Sequence, residues 1–190
     1  MGQIIRMTST FARPADVTQY TAGDEISNSA TAGSVVRPIF NLSGFSRGRI
    51  LAAAVDITPA SGNLVIVVLN FALIPFKTAS IPAAVGDNVT FPLTAAQRRA
   101  ALGHFLFDDG GWVNTLGAFT AGASGYQSTP ATVAIPLATP TIAAPHVPGY
   151  FFEFTQGETE SITMALQVLG AWNPGAVANT FGIVLDLEVE

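Results

Sequence analysis

An all-β chain, folded as a two-sheet antiparallel β-sandwich, is what this sequence predicts, and three observations predict it. Apolar and polar residues alternate with period two over several stretches, the pattern of strands with one buried and one wet face. Clusters of Gly, Asn, Asp and Pro separate those stretches. No amphipathic helices follow the strands in regular alternation, which argues against α/β folds. The 190 residues fit a single domain with a sizeable core.

Taken in order, Gln3 to Phe11 and Ser34 to Leu42 read as the first two strands. Leu51, Ala53, Val55 and Ile57 share one face of a third. Leu64 to Phe71 is apolar on both faces and rich in Val and Ile, as in a strand covered on both sides. Asn88 to Leu93 is a further candidate. One short helix is expected near residues 94–102: Thr94 can cap it, with Gln97 completing a capping box and Gly103 ending it. Thr132 to Leu137 and Tyr150 to Phe154 follow. Ile162, Met164, Leu166 and Val168 then alternate with Ser161, Thr163, Ala165 and Gln167, and Ile183, Leu185, Leu187 and Val189 with Val184, Asp186, Glu188 and Glu190. Turn chemistry sits at Ala22-Gly23-Asp24, Ser61-Gly62-Asn63, Gly86-Asp87-Asn88 and Asn173-Pro174-Gly175. Eight or nine strands suit a jelly-roll-like sandwich. The Cys, Trp, Cys spacing usual in immunoglobulin-like sandwiches is missing.

Two segments stand apart within the single domain of residues 1–190. The N-terminal strand, about residues 1–13, could serve as an arm. Residues 117–149 are rich in Gly, Ala, Ser and Thr and contain Pro130, Pro136, Pro140, Pro145 and Pro148. They read either as long surface loops around one short strand or as an arm ordered by a neighbouring subunit. Their lack of charge favours the arm.

Charge is scarce throughout. Only 11% of residues are charged, against roughly 25% in an ordinary soluble domain. From Gly110 to Phe152, and again from Ser161 to Leu185, there is no Asp, Glu, Lys or Arg. Much of such a surface is expected to meet other protein. The net charge of −5 argues against a nucleic-acid partner, because phosphate neutralisation needs clustered cations. Arg47 with Arg49, and Arg98 with Arg99, are the close basic pairs. Zero Cys removes disulfides, thiolate metal sites and cysteine nucleophiles. Mean hydropathy is high at +0.44, but the most apolar stretch, Leu64 to Phe76, is broken by Asn70 and Pro75 and falls short of the ~20 residues a helical span requires. No membrane partner is expected. Met1 to Arg6 does not read as a secretory signal, so use without export is the expectation.

Motifs that carry chemistry are weak. Gly44-Phe45-Ser46-Arg47-Gly48 fits the G-x-S-x-G nucleophile elbow, with Asp108 and His146 following in triad order. That elbow requires a strand-turn-helix corner, whereas strands flank this one, so a hairpin connection using glycine at positive φ is the better reading. Asp108-Asp109-Gly110-Gly111 lacks the further oxygens of a calcium loop. His104 and His146 have no partner at zinc-ligand spacing and read as packed or surface histidines. Glu153, Glu158 and Glu160 fit a solvated hairpin tip better than a glycosidase pair. Trp112, Tyr126, Tyr150 and Trp172 could bind sugars if exposed; core or interface packing is the plainer reading. No catalytic residue, cofactor or metal is assigned.

Phe11-Ala12-Arg13-Pro14-Ala15-Asp16, Tyr20, Gly23-Asp24 and Asn28 resemble a group of small structural proteins of tailed bacteriophages. The likeness continues through Gly48 to Ile57, Leu64 to Phe71, Pro75, Asp87-Asn88, Phe91 and the helix ending at Leu102-Gly103. The resemblance implies a non-enzymatic capsid cement or decoration protein, often a jelly roll. It would be assembled in the host cytoplasm, would sit on the virion surface, and would have the major capsid protein and copies of itself, as dimer or trimer, for partners. A sugar-binding or host-recognition sandwich is the alternative. Candidate capsid or subunit contacts are Ile4, Ile5, Arg6, Phe11 and Arg13 in the first strand, and Pro130, Pro136, Pro140 and Pro145 in the charge-free region.

Overall fold

Strict alternation drives the longest strands together. In the computed structural model, which describes residues 2–59, 70–107, 112–114, 126–128, 131–132, 149–174 and 178–190, β1 (Gln3–Arg13) pairs along its whole length with β11 (Asn179–Val189). β11 lies in turn against β3 (Arg47–Pro59). Phe181, Ile183, Leu185, Leu187 and Val189 point inward, all buried. The free edge of β3 is covered piecewise by β9 (Tyr150–Glu153), β8 (Ala131–Thr132) and β7 (Tyr126–Ser128), and β6 (Trp112–Asn114) pairs with β7. The second sheet runs β2 (Ile39–Asn41), β10 (Ser161–Val168), β4 (Phe71–Lys77), β5 (Phe105–Phe107). All pairings are antiparallel.

The pairings are nested: β1 with β11, β2 with β10, β3 with β9, β4 with β5. A long antiparallel hairpin folded over on itself gives this order, and the result is the jelly roll. The core lies between the sheets, with Phe40, Phe71, Phe105, Phe152, Met164, Trp172 and Phe181 among its members. Phe71 stacks on Phe107 at 4.9 Å and Phe11 on Phe181 at 5.2 Å between ring centroids. Each such ring contributes roughly 1.5–3 kcal/mol on burial.

The second sheet is covered on its outer side as well. Ile81, Val85, Phe91, Leu93 and Ala101 pack on Ala72, Ile74, Phe76 and Ala165, so β4 and β10 are buried on both faces over most of their length. The helix in this layer, α1 (Ala95–Ala100), starts at Thr94, whose side chain accepts from the Gln97 N–H at 3.2 Å while Gln97 accepts from the Thr94 N–H at 2.8 Å. It is the expected capping box. Gly103 does not terminate the helix, which ends at Ala100; a Cβ there would collide with the Tyr150 ring.

Several expectations are corrected. Ser34 to Leu42 yields a strand only at Ile39–Asn41, with a 3-10 turn at Ala32–Ser34. Asn88 to Leu93 forms no strand; Thr90 makes one bridge to Asp24. β4 continues to Lys77 through Pro75, which is tolerated because Met164, opposite it, donates its N–H to Pro38 on the other side, leaving Pro75 where no donor is needed. Leu51 does not join the inward face of β3. A bulge between Asp186 and Leu187 sets Leu187 opposite Ile50 and Asp186 opposite Ala52, so the inward set changes from Gly48 and Ile50 to Ala53, Val55 and Ile57. The connection at Gly44 to Gly48 is not a hairpin, since β2 and β3 belong to different sheets. Gly44 has the positive φ of 92°. Gly48 is small for another reason: a Cβ would strike the Glu188 carbonyl and lie 2.7 Å from Phe152 Cζ. Residues 64–69 and 133–137 of two expected strands, the Ser61-Gly62-Asn63 turn and residues 117–125, 129–130 and 133–148 of the charge-free region lie outside the described residues.

Candidate interaction surface

Period two, which buries one face of the β1-β11-β3-β9 sheet, leaves the other outward, and among the described residues nothing is packed upon it. Its register is regular. Ile4, Glu188, Arg49 and Phe151 lie side by side across the four strands. Ile4 and Phe151 are each 71% exposed and stand at opposite ends of the row; Arg49 and Glu188 form an ion pair between them. Arg6 and Asp186 lie in the next row and make a bidentate contact at 2.7 and 2.9 Å. On the other side Arg47 meets the Glu190 carboxylate at 2.6 Å. Each of these three arginines has a carboxylate partner, and Glu153, opposite Arg47 on β9, adds a further exposed carboxylate. A shallow hollow of about 290 Å³ lies among Arg47, Gly48, Arg49, Phe151, Glu188 and Glu190. The Arg6 guanidinium is held protonated more firmly than usual by its hydrogen bond and charge contact with Asp186, and the Asp186 carboxyl is pulled below the ordinary range by the same bond.

Beyond the ion pairs the same face is built from short side chains: Thr8, Thr10 and Ala12 on β1; Val184, Gly182 and Thr180 on β11; Ala52, Ala54, Asp56 and Thr58 on β3. Such a face is flat enough for another protein surface to approach closely, and it contains one charged residue. Scarcity of charge is a feature of the centre of a protein interface.

At the far end of β1 the chain turns inward. Phe11 and Arg13, expected as contacts, are buried, Arg13 completely. Arg13 Nε donates to the Tyr20 hydroxyl at 2.6 Å, which donates to Asp87 Oδ1 at 2.6 Å. Asp87 also accepts from the Ser27 N–H at 2.9 Å, and Arg13 Nη2 donates to the Asp16 carbonyl at 2.6 Å. The guanidinium lies over the rings of Tyr20 and Trp172. Burial pushes the Asp87 carboxyl upward, against the pull of Ser27, Tyr20 and Arg13; Tyr20 is pushed upward too, chiefly by burial. A second buried pair, Arg37 to Glu25 at 2.6 Å, continues through Arg37 Nη1 to the Pro82 carbonyl and from the Val85 N–H to Glu25. Together they fasten residues 14–38 and 81–93 to the sandwich. They are structural anchors that sequence reasoning missed. The available signal was parity: Arg13 shares the inward face with Phe11.

Of the named contacts, Ile4 and Arg6 stand outward and Ile5 is half-buried at the edge. Pro130, Pro136, Pro140 and Pro145 lie outside the described residues, as do Asp108, Asp109, Gly110, Gly111 and His146. Ser46 sits between two strands with its carbonyl accepting from the Phe154 N–H at 2.7 Å, so the strand-turn-helix corner of a nucleophile elbow is not formed. Glu158 meets Lys77 at 2.8 Å, whereas Glu160 accepts from the Gly44 N–H; the acidic residues serve separate contacts. Trp172 and Tyr150 are buried and offer no stacking platform for a sugar. A second hollow of about 550 Å³ runs beside α1, with Ile74, Leu93, Leu102 and Leu106 on its walls and Arg98 and His104 among its polar groups. Among the described residues no three His, Asp or Glu side chains gather as metal ligands, and no helix is long and apolar enough to cross a membrane.

No protein-family model matches the chain, and no curated protein matches it. Among solved structures it is similar to the capsid protein in a decameric BFDV assembly, at 12% identity and a TM-score of 0.40, covering 100% of this chain and 99% of that one. A second similarity is to a virus-like particle of the giant freshwater prawn Macrobrachium rosenbergii nodavirus, at 13% identity and 0.33, over 100% and 93%. A third is to the capsid of Helicobacter pylori bacteriophage KHP30, at 9% and 0.29, over 98% and 93%. Overlaps this loose do not bear on function.

Proposed function

We propose that the chain is a non-enzymatic structural protein of a virion, seated on the outside of a tailed-phage shell and stabilising it as a cement or decoration protein. The observation that carries this reading is the bare outer face of the β1-β11-β3-β9 sheet. Its arginines are all paired, most of its other side chains are short, and it is framed by the exposed Ile4 and Phe151. Exposed hydrophobic groups of this size beside paired arginines are what anchors at a protein contact look like. Two further features support it: the low charge of the chain as a whole, and the resemblance to phage structural proteins, which covers most of the chain and is weaker after Gly117. The major capsid protein is the partner that fits. A protein that binds only the assembled lattice stabilises that lattice by its own binding free energy, and many equivalent sites make modest contacts sufficient.

The test is co-sedimentation of the purified chain with empty phage shells, with the pellet measured against the major capsid protein. Saturating, stoichiometric binding is expected, and Phe151→Asp is expected to weaken it at least tenfold without moving the melting temperature. A well-folded chain that stays in the supernatant refutes the reading.

A further inference from the structure

We propose that two copies of this chain associate edge to edge through β1, forming one continuous sheet across a two-fold axis at Thr8. Among the described residues β1 pairs with β11 alone, so one edge of an 11-residue strand presents unpaired backbone groups. That edge carries few of the usual protections: Arg6 is its one exposed charge, and Arg13 points inward at its far end. It has no Pro, no Lys and no bulge, and its pairing with β11 is unbroken from Gln3 to Arg13.

With a second copy as the occupant, geometry limits the register. A two-fold axis normal to the sheet keeps every side chain on its own face, so opposed residues share parity and the axis must pass a residue. An axis at Arg6 would oppose two guanidinium groups, which is unfavourable. An axis at Thr8 pairs the strand from Ile4 to Ala12, stopping short of the fully buried Arg13, and sets Arg6 against Thr10 with no like charges opposed. It also brings the partner's Ile4 opposite Ala12 and the partner's Ile5 opposite Phe11. There, a groove of about 470 Å³ lies along residues 9–12 and is walled by Val36 and Ile39, themselves 64% and 50% exposed. The 71% exposed Ile4 and half-buried Ile5 thus arrive where apolar surface lies uncovered. This association goes beyond the shell reading and does not require a shell.

The natural sequence contains no cysteine, so one introduced thiol reports without competition. Directly opposed residues of an antiparallel pair have Cβ atoms about 4.5–5.5 Å apart, close to the ~3.5–4.5 Å of a disulfide. Full-length Thr8→Cys under mild oxidation is expected to form a covalent dimer, while Thr180→Cys on the outer face of β11 is not. Sedimentation velocity is expected to show a dimer for the parent chain, and Thr8→Lys to raise its dissociation constant roughly tenfold or more, since it opposes two ammonium groups, with the melting curve unchanged at concentrations where the parent is dissociated. A parent chain monomeric at every concentration, a dimer that Thr8→Lys leaves intact, or Thr8→Cys cross-linking no better than Thr180→Cys would overturn the proposal. Shell binding is measured separately, so either idea can fail without the other.

Discussion

Replacing Asp87 by Ala tests the anchor that fastens the β1 end of the sandwich. The Arg13 side chain is fully buried and Asp87 nearly so, with Nε and Oδ2 3.4 Å apart and Tyr20 bridging them. Removing the carboxylate leaves a buried guanidinium without its counter-charge, a change that costs about 3–5 kcal/mol. The Ser27 N–H and the Tyr20 hydroxyl lose their acceptor as well, so the upper half of that range is expected. Against a total stability of roughly 5–15 kcal/mol this is a large fraction. With a urea slope of about 2 kcal/mol/M it moves the unfolding midpoint down by about 2 M. The companion variant is Arg13→Met with Asp87→Leu. Swapping a whole buried pair for apolar groups is often neutral, so the double variant should recover the share due to the stranded guanidinium, though not the share due to Tyr20 and Ser27, which still lack their acceptor. The cycle should give a coupling of about 2 kcal/mol or more. Urea unfolding of the parent, Asp87→Ala, Arg13→Met, Asp87→Leu and the Arg13→Met, Asp87→Leu double variant decides it. An Asp87→Ala chain within about 0.5 kcal/mol of the parent, with additive effects in the cycle, would mean that Arg13 is solvated, and the reasoning would be refuted.

Glu158 sets part of the acid limb. Its carboxyl is drawn down from 4.5 to about 2, first by the hydrogen bond from Lys77 and then by the Thr155 N–H. A depressed carboxyl contributes stability that is whole above its ordinary value and is lost as pH falls toward the folded value. Thermal melts should therefore fall between about pH 4.5 and 2, and Glu158→Gln should flatten that slope, leaving the shares of Asp16 and Asp186, which are lowered too. Gly48→Ala forces a Cβ onto the Glu188 carbonyl and against Phe152; a loss of about 1–3 kcal/mol in denaturant unfolding is expected.

The long alternating strands were legible because their pattern is local. β1, β10 and β11 need only period two and a turn at each end, and the helix needed only Thr94 and Gln97. What failed depends on distant chain. Pro75 reads as a strand breaker until Met164 is known to send its N–H elsewhere. The bulge near Leu51 exists only against β11. Asn88 to Leu93 has strand composition but serves as cover, with Phe91 packed on the outside of β4. For the candidate surface, parity on β1 separates Ile4 and Arg6, which stand outward, from Phe11 and Arg13, which are core. Phe151 gave no signal of its own: its exposure follows from lying one residue from Phe152 on a strand whose other face is buried.

The two sheets are not equivalent, and on the proposed reading the difference points to where a partner binds. The β2-β10-β4-β5 sheet is covered on its outer side by residues 81–102 and is sealed against a neighbour over much of its area. The β1-β11-β3-β9 sheet has no such layer among the described residues. Its cross-strand ion pairs do little for folding, since exposed pairs contribute about 0–1 kcal/mol. Their value is greater at a contact. A surface whose arginines are already matched to carboxylates by register can be covered by another protein without stranding those arginines, leaving only Asp56 and Glu153 to be met by the partner or kept at its rim. Three matched pairs beside a field of threonine, alanine and glycine therefore let a weakly charged chain stay soluble when alone and remain ready to be buried. Ile4 and Phe151, placed at the two ends of the matched row, supply the apolar contact that the pairs themselves do not.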